Sequence, residues 1–334
     1  MRVVRVLGAG IVGLAVAEEL TGRGHEVELV DPTPGGGASH AAAGMLAPAA
    51  ELWHGEEALH RLGRASAALW PGYAARLGVP LREGTLLVAA DAGDLAEVDR
   101  QVALARAHGE EVSSLDRAAL LAREHRLGRV VGGALLPDDH SVDPRAVMAA
   151  LRARVPVRST PSEREADVTV LATGAPPSPY CRLGRPVRGE ILRLHAEPAD
   201  LPSCTLRGWV HGQQVYVVPR ATGEVVVGAT QEEHDTPPVV TAEGVWRLLD
   251  AGRRLLPALG RARFVEATAR DRPGTRDNLP LVGPTEKPGV VLAVGHFRHG
   301  VLLAPLTAQL VADHLETGRI EPDLDPRRFR EGAA

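Results

Sequence analysis

The chain has 334 residues, 44% of them hydrophobic and 24% charged, with a formal net charge of −4. That length suits two sizeable domains rather than one simple core, and the composition is that of an ordinary globular protein. The mildly acidic balance gives no footing for a nucleic-acid or membrane partner.

The apolar start, residues 1–16, is interrupted by Gly8, Gly10 and Gly13, and no span of about 20 apolar residues follows it. A cytoplasmic location is the expectation. Cys181 and Cys204 are the only cysteines and lack metal-ligand spacing, so two free thiols and no metal are expected.

Residues 3–7, Val-Val-Arg-Val-Leu, read as a buried strand of a parallel sheet. Gly8-Ala9-Gly10-Ile11-Val12-Gly13 follows, then a helix through Leu14, Ala17 and Leu20 that ends near Gly22-Arg23-Gly24. Residues 26–30 make a second strand, closed by Asp31. Gly8 permits the tight turn, Gly10 admits a diphosphate to the backbone, and Gly13 lets helix and strand pack closely. The amides at Ile11 and Val12 then open the helix toward that diphosphate. Asp31 stands where a carboxylate would receive the adenosine ribose hydroxyls, which argues against a 2′-phosphate. Strand, glycines, helix, strand and acid occur in the order that gives this motif its meaning.

Next comes a run of small residues, Gly35-Gly36-Gly37-Ala38-Ser39-His40-Ala41-Ala42-Ala43-Gly44-Met45-Leu46. A nicotinamide-binding chain would normally return to a third strand through a helix here. Small side chains instead let backbone amides approach a long, flat ligand. A flexible linker is the competing reading, but linkers do not usually end in Met-Leu-Ala-Pro. Asp138, Asp139 and His140 read as a polar loop ahead of a helix with Asp143 as N-cap and Pro144 at its first position. Residues 168–171 form another buried strand, running into Thr173 and Gly174. Residues 290–294 form a third, followed by Gly295-His296-Phe297-Arg298-His299-Gly300 and an apolar helix from Val301 and Leu302 to about Glu316. The start of that helix favours the negative charge a reduced flavin carries.

Together these segments resemble the glycine oxidases of the D-amino-acid oxidase group of flavoproteins, the kind associated with thiamine biosynthesis. The resemblance extends through Val215-Tyr216-Val217-Val218-Pro219-Arg220, residues 225–230, Arg272-Pro273-Gly274-Thr275-Arg276-Asp277 and residues 295–305. It implies an α/β fold with non-covalent FAD in a Rossmann-type domain, interleaved with an α+β substrate domain on a mostly antiparallel sheet. The FAD domain is expected to draw on 1–80, 138–180 and 273–330, and the substrate domain on 81–137 and 181–272. It further implies FAD contacts from Gly8, Gly10, Ile11, Val12, Gly13, Asp31, Ser39, Ala42, Ala43, Gly44, Met45, Thr173, Gly174, His296, Arg298, His299, Gly300, Val301 and Leu302. Arg272 resembles the arginine that grips the substrate carboxylate, Tyr216 the tyrosine supporting it, and Arg298 the arginine near the flavin's reactive face.

The activity implied is oxidation of glycine or an N-substituted glycine by hydride transfer from Cα to flavin N5. The imine hydrolyses to an oxo acid and an amine, and O2 becomes H2O2. A dehydrogenase or oxidase for a larger secondary amine, or a flavin subunit of a multi-component dehydrogenase, are the alternatives. A homo-oligomer is plausible from the family alone.

Three departures bear on this. Arg270 precedes Arg272 by two, hence shares its face if the segment is a strand, and favours a larger or more acidic substrate. Gln231-Glu232-Glu233-His234 stands where the family often has methionine, predicting a wetter wall and a longer substrate. Residues 158–167 are shorter than the family's strand and hairpin, so the adenine end is expected to lose cover and FAD to bind less tightly.

Overall fold

The computed structural model describes residues 1–233 and 236–329, so His234 and residue 330 lie outside the described residues. Its first sheet has six strands, in the order Leu281–Pro284, Val290–Val294, Val168–Leu171, Val3–Leu7, Glu26–Val30 and Val157–Arg158. All neighbours are parallel except the first pair. Apolar residues fill this sheet because both of its faces are covered. Val4, Val6, Val168 and Val170 pack in one core with the helices Ile11–Gly22 and Gly300–Thr317. Leu281, Leu292 and Val294 pack with Leu183 in another.

The second sheet has eight strands and is antiparallel except where Thr85–Ala89 meets Thr205–Val210. Alternation along its strands decides what each face does. Leu192, Leu194, Val215, Val217, Val225 and Val227 pack with Leu248 and Leu255 of the helix Ala242–Leu255. The intervening Ile191, Val218 and Val226 turn the other way, onto Ala41 and Ala43 of the small-residue run. That opposite face closes on the first sheet and forms one wall of the cavity between them.

Asp143 caps the helix Pro144–Arg152 by accepting from Arg145 N at 2.9 Å, with Pro144 at its start as expected. The expected polar loop is found at Asp138 and Asp139, in the turn after the strand Gly132–Leu136, while His140 already begins a short strand. Asp139 departs from expectation in being buried, accepting from the amides of Ala49 at 3.1 Å and Ala50 at 2.7 Å. Two unpaired amides ninety residues away hold that carboxylate inside, a partnership no local pattern reveals. Cys181 and Cys204 are free thiols. Among the described residues no helix is long and apolar enough to cross a membrane.

Candidate active site

A cavity of about 1270 Å³ runs between the two sheets. It exceeds the ~300–1,000 Å³ of pockets for a drug-sized molecule, so it has room for a dinucleotide and a small substrate together. Every residue the sequence put forward as a cofactor or substrate contact lines it except Gly13.

Gly13 works from behind: a Cβ there would lie 1.9 Å from the Gly8 carbonyl oxygen. Gly8 itself holds φ +106°, and a Cβ there would meet the Ala172 carbonyl oxygen at 2.4 Å. The helix beginning at Ile11 has no side-chain cap on its own Gly10, and Ile11 N donates instead to Ser39 Oγ at 3.1 Å. Its start therefore opens on the cavity, as an anion site requires. Asp31 receives Ala9 N and Thr33 N, each at 2.8 Å and each on a different oxygen. A carboxylate has about four acceptor positions, so capacity remains for ribose hydroxyls.

The small-residue run is pinned from outside by arginines that sequence reasoning missed. Arg145 Nε donates to His40 O at 3.0 Å, Arg193 Nη2 to Ala42 O at 3.3 Å, and buried Arg220 to Ala43 O. Their donors satisfy carbonyls that would otherwise be stranded in the interior. At the far end, Gly295 N donates to Gly174 O at 2.8 Å, joining the turns after two parallel strands. Residues 297–299 form a 3₁₀ turn that leads into the helix at Gly300. His296 and His299 are held neutral there, each lowered to about 3 by burial.

At the substrate end, two side chains lie flat in slots left by glycines. Arg272 sits on the long strand Arg263–Thr275, and a Cβ on Gly189 of the neighbouring strand would come within 2.3 Å of its guanidinium. Tyr216 pairs across the ladder with Gly228, whose Cβ would lie 2.3 Å from the Tyr216 hydroxyl. Burial raises the Tyr216 hydroxyl's pKa, against the lowering pull of Arg272, so it stays a neutral donor. Arg270 also lines the cavity, but its Nε is turned to Gly36 O at 3.0 Å, toward the cofactor run. Gln231 and Glu232 line the wall as the polar departure predicts.

Arg298 is tied to two acids, Glu51 Oε2 and Glu56 Oε2, each at 2.8 Å. Glu51 also pairs with Arg207, which stands opposite Tyr216 in the sheet. Burial alone would raise Glu51's carboxyl, but Arg207 and Arg298 reverse this and hold it at about 2. Neither Glu51 nor Arg207 was read from the sequence. The only available signal was their charge, which is written the same way at the surface. Of Arg207, Arg272 and Arg298, only Arg272 meets no carboxylate among the described residues; its Nη1 donates to the carbonyls of Arg188 at 3.1 Å and Thr230 at 3.2 Å.

Comparison with known proteins agrees with this geometry. The family model of FAD-dependent oxidoreductases called DAO matches residues 4–156 and 152–314. A putative thiamine biosynthesis oxidoreductase, ThiO, from Rhizobium etli is 37% identical over 331 residues, covering 95% of this chain and 98% of the relative. A bifunctional ThiO/ThiG protein from Nostoc is 32% identical over 95% of this chain, which spans only 53% of that relative's length. The crystal structure of glycine oxidase from Geobacillus kaustophilus superposes with a TM-score of 0.82 at 29% identity, covering 98% of both chains. The glycine cradle, the helix start and the pinned small-residue run fit FAD, and the chain belongs to the DAO family of FAD-dependent oxidoreductases.

Proposed function

We propose that the protein oxidises glycine or an N-substituted glycine, giving an imine that hydrolyses to an oxo acid and an amine. The observation that carries this reading is the charge balance of the substrate end. Glu51 and Glu56 neutralise Arg207 and Arg298, leaving Arg272, among the described residues, with backbone carbonyls but no carboxylate as partner, and so open to a ligand carboxylate. A guanidinium fork grips one carboxylate through two parallel charge-assisted hydrogen bonds. Tyr216, neutral and laid beside it, adds a hydroxyl donor to the same group.

FAD supplies the two-electron acceptor, and O2 the final oxidant, with release of H2O2. The chain's own share is to fix the carboxylate, and through it the Cα–H, so that the step becomes effectively unimolecular. The substrate amine must be neutral to assist hydride departure. His299 does not serve as its base: burial keeps the ring neutral, and its Nε2 accepts from Arg298 Nε at 3.1 Å. The polar wall at Gln231 and Glu232, with Trp53 also on the cavity, favours an N-substituted glycine over glycine itself. The interleaved FAD and substrate domains, and a homo-oligomeric state, are part of the same proposal.

The test is anaerobic mixing of the flavin-loaded protein with amino acids and N-alkyl glycines, followed by the yellow absorbance. Bleaching by glycine or sarcosine-like compounds is expected, and Arg272→Ala should lower kcat/KM for them by about a hundredfold or more. An Arg272→Ala variant within a few-fold of wild type overturns the assignment.

A further inference from the structure

Arg152 ends the helix Pro144–Arg152 and lines the cavity together with Asp31, Ser159 and Pro161. This is the adenosine end. Asp31 closes the second strand, and its amide donates to Arg158 O at 2.9 Å, which places Ser159 and Pro161 beside it. Both Nε and Nη2 of Arg152 are buried there without a hydrogen-bond partner. Arg154, two residues on, shows the contrast: it pairs with Glu18 at 3.0 Å and donates to Arg76 O. Buried guanidinium donors are unfavourable unless something accepts from them, so two unpaired donors on a side chain that lines a ligand cavity point to the ligand.

The neighbouring chain explains why an arginine is needed. Beyond Pro161 the short segment turns onto the outer side of the first sheet. There Ser162 N donates to Glu28 Oε1 at 2.6 Å, and Arg5 Nη2 donates to Ser162 O at 3.1 Å. Of residues 158–167, Ser159 and Pro161 alone line the cavity.

We propose that Arg152 closes the adenosine half of the FAD site, its guanidinium laid against the base and its Nε and Nη2 given to acceptors on the adenosine. A planar guanidinium suits this, because it stacks on an aromatic face while its edge donors remain available. The proposal rests on FAD binding, which the wild-type titration checks by itself.

Apoprotein is titrated with FAD, and with ADP as a competitor that carries the adenosine without the isoalloxazine. Arg152→Met keeps the length of the side chain and removes its donors. FAD Kd should rise at least about tenfold, and the ADP constant by the same factor. The apoprotein Tm should hold or rise, because an unpaired buried charge has been removed. FAD affinity within twofold of wild type overturns the proposal. So does a loss confined to FAD with ADP unaffected, or ADP that fails to compete for the wild-type site. A fall in apoprotein Tm, or a variant that does not fold, makes Arg152 a structural prop and overturns it too. Wild-type protein that takes up no FAD would instead sink the cofactor assignment.

Discussion

The two ends of the cavity are built by opposite means. At the diphosphate end the work is done by backbone: a positive-φ glycine, a second glycine pressed on the first, and a helix start left open. At the substrate end it is done by side chains: a tyrosine and an arginine lying over glycines, beside a buried network of acids and guanidiniums. Backbone recognition tolerates no added atom, because nothing near it can move. Side-chain recognition tolerates repacking but not misalignment.

Substituting a glycine at each end should separate these behaviours. Gly13→Ala sets a methyl 1.9 Å from a backbone oxygen. We expect a loss of about 3 kcal/mol or more in stability and protein purified nearly free of flavin, read from Tm and the flavin-to-protein ratio. Gly189→Ala places its methyl against the mobile tip of Arg272. Flavin content and Tm should stay close to wild type while kcat/KM falls about a hundredfold, the usual cost of moving an orienting group by an ångström. Equal losses of flavin in both variants would erase the distinction.

A smaller effect lies where the two ends meet. His296, buried with its Nε2 on Thr307 Oγ1 at 2.9 Å, is depressed to about 3, against about 6.5 in an unfolded chain. The unfolded chain takes up a proton that the folded one refuses. The stability is therefore fully present above about pH 6.5 and is lost as pH falls toward 3. His296→Asn should flatten the fall in unfolding free energy, read from urea titrations between pH 6 and 4, by about 1.4 kcal/mol per pH unit. An unchanged slope would mean that the ring titrates freely.

What was legible in the sequence follows the same division. The diphosphate end lies within about thirty consecutive residues, so strand, glycines, helix and acid could be read directly. Arg272 and Tyr216 were reachable through family resemblance, and their placement beside each other is a product of strand pairing. The roles of Arg207, Gly189 and Gly228 were missed for that reason, and that of Glu51 because a turn residue's charge gives no sign of its distant partners. Arg207, Tyr216 and Gly228 form one cross-strand row, but no spacing along the chain announces it. Arg270 was read as a second substrate cation from alternation alone; its bond to Gly36 turns it toward the cofactor run instead. Alternation assigns a face, while the long arginine stem chooses the destination.

Asp139 has a reach beyond its own burial. By holding the amides of Ala49 and Ala50 it fixes the turn that presents Glu51, and Gln101 grips the same turn through Ala49 O at 2.9 Å and Leu52 O at 3.0 Å. A carboxylate outside the cavity lining thus sets the position of one that neutralises two arginines within it. Attempts to retune substrate choice can redecorate Gln231 or Trp53 on a scaffold bolted from the rear. Alterations at position 139 would instead shift the anchoring of the whole charged network at once.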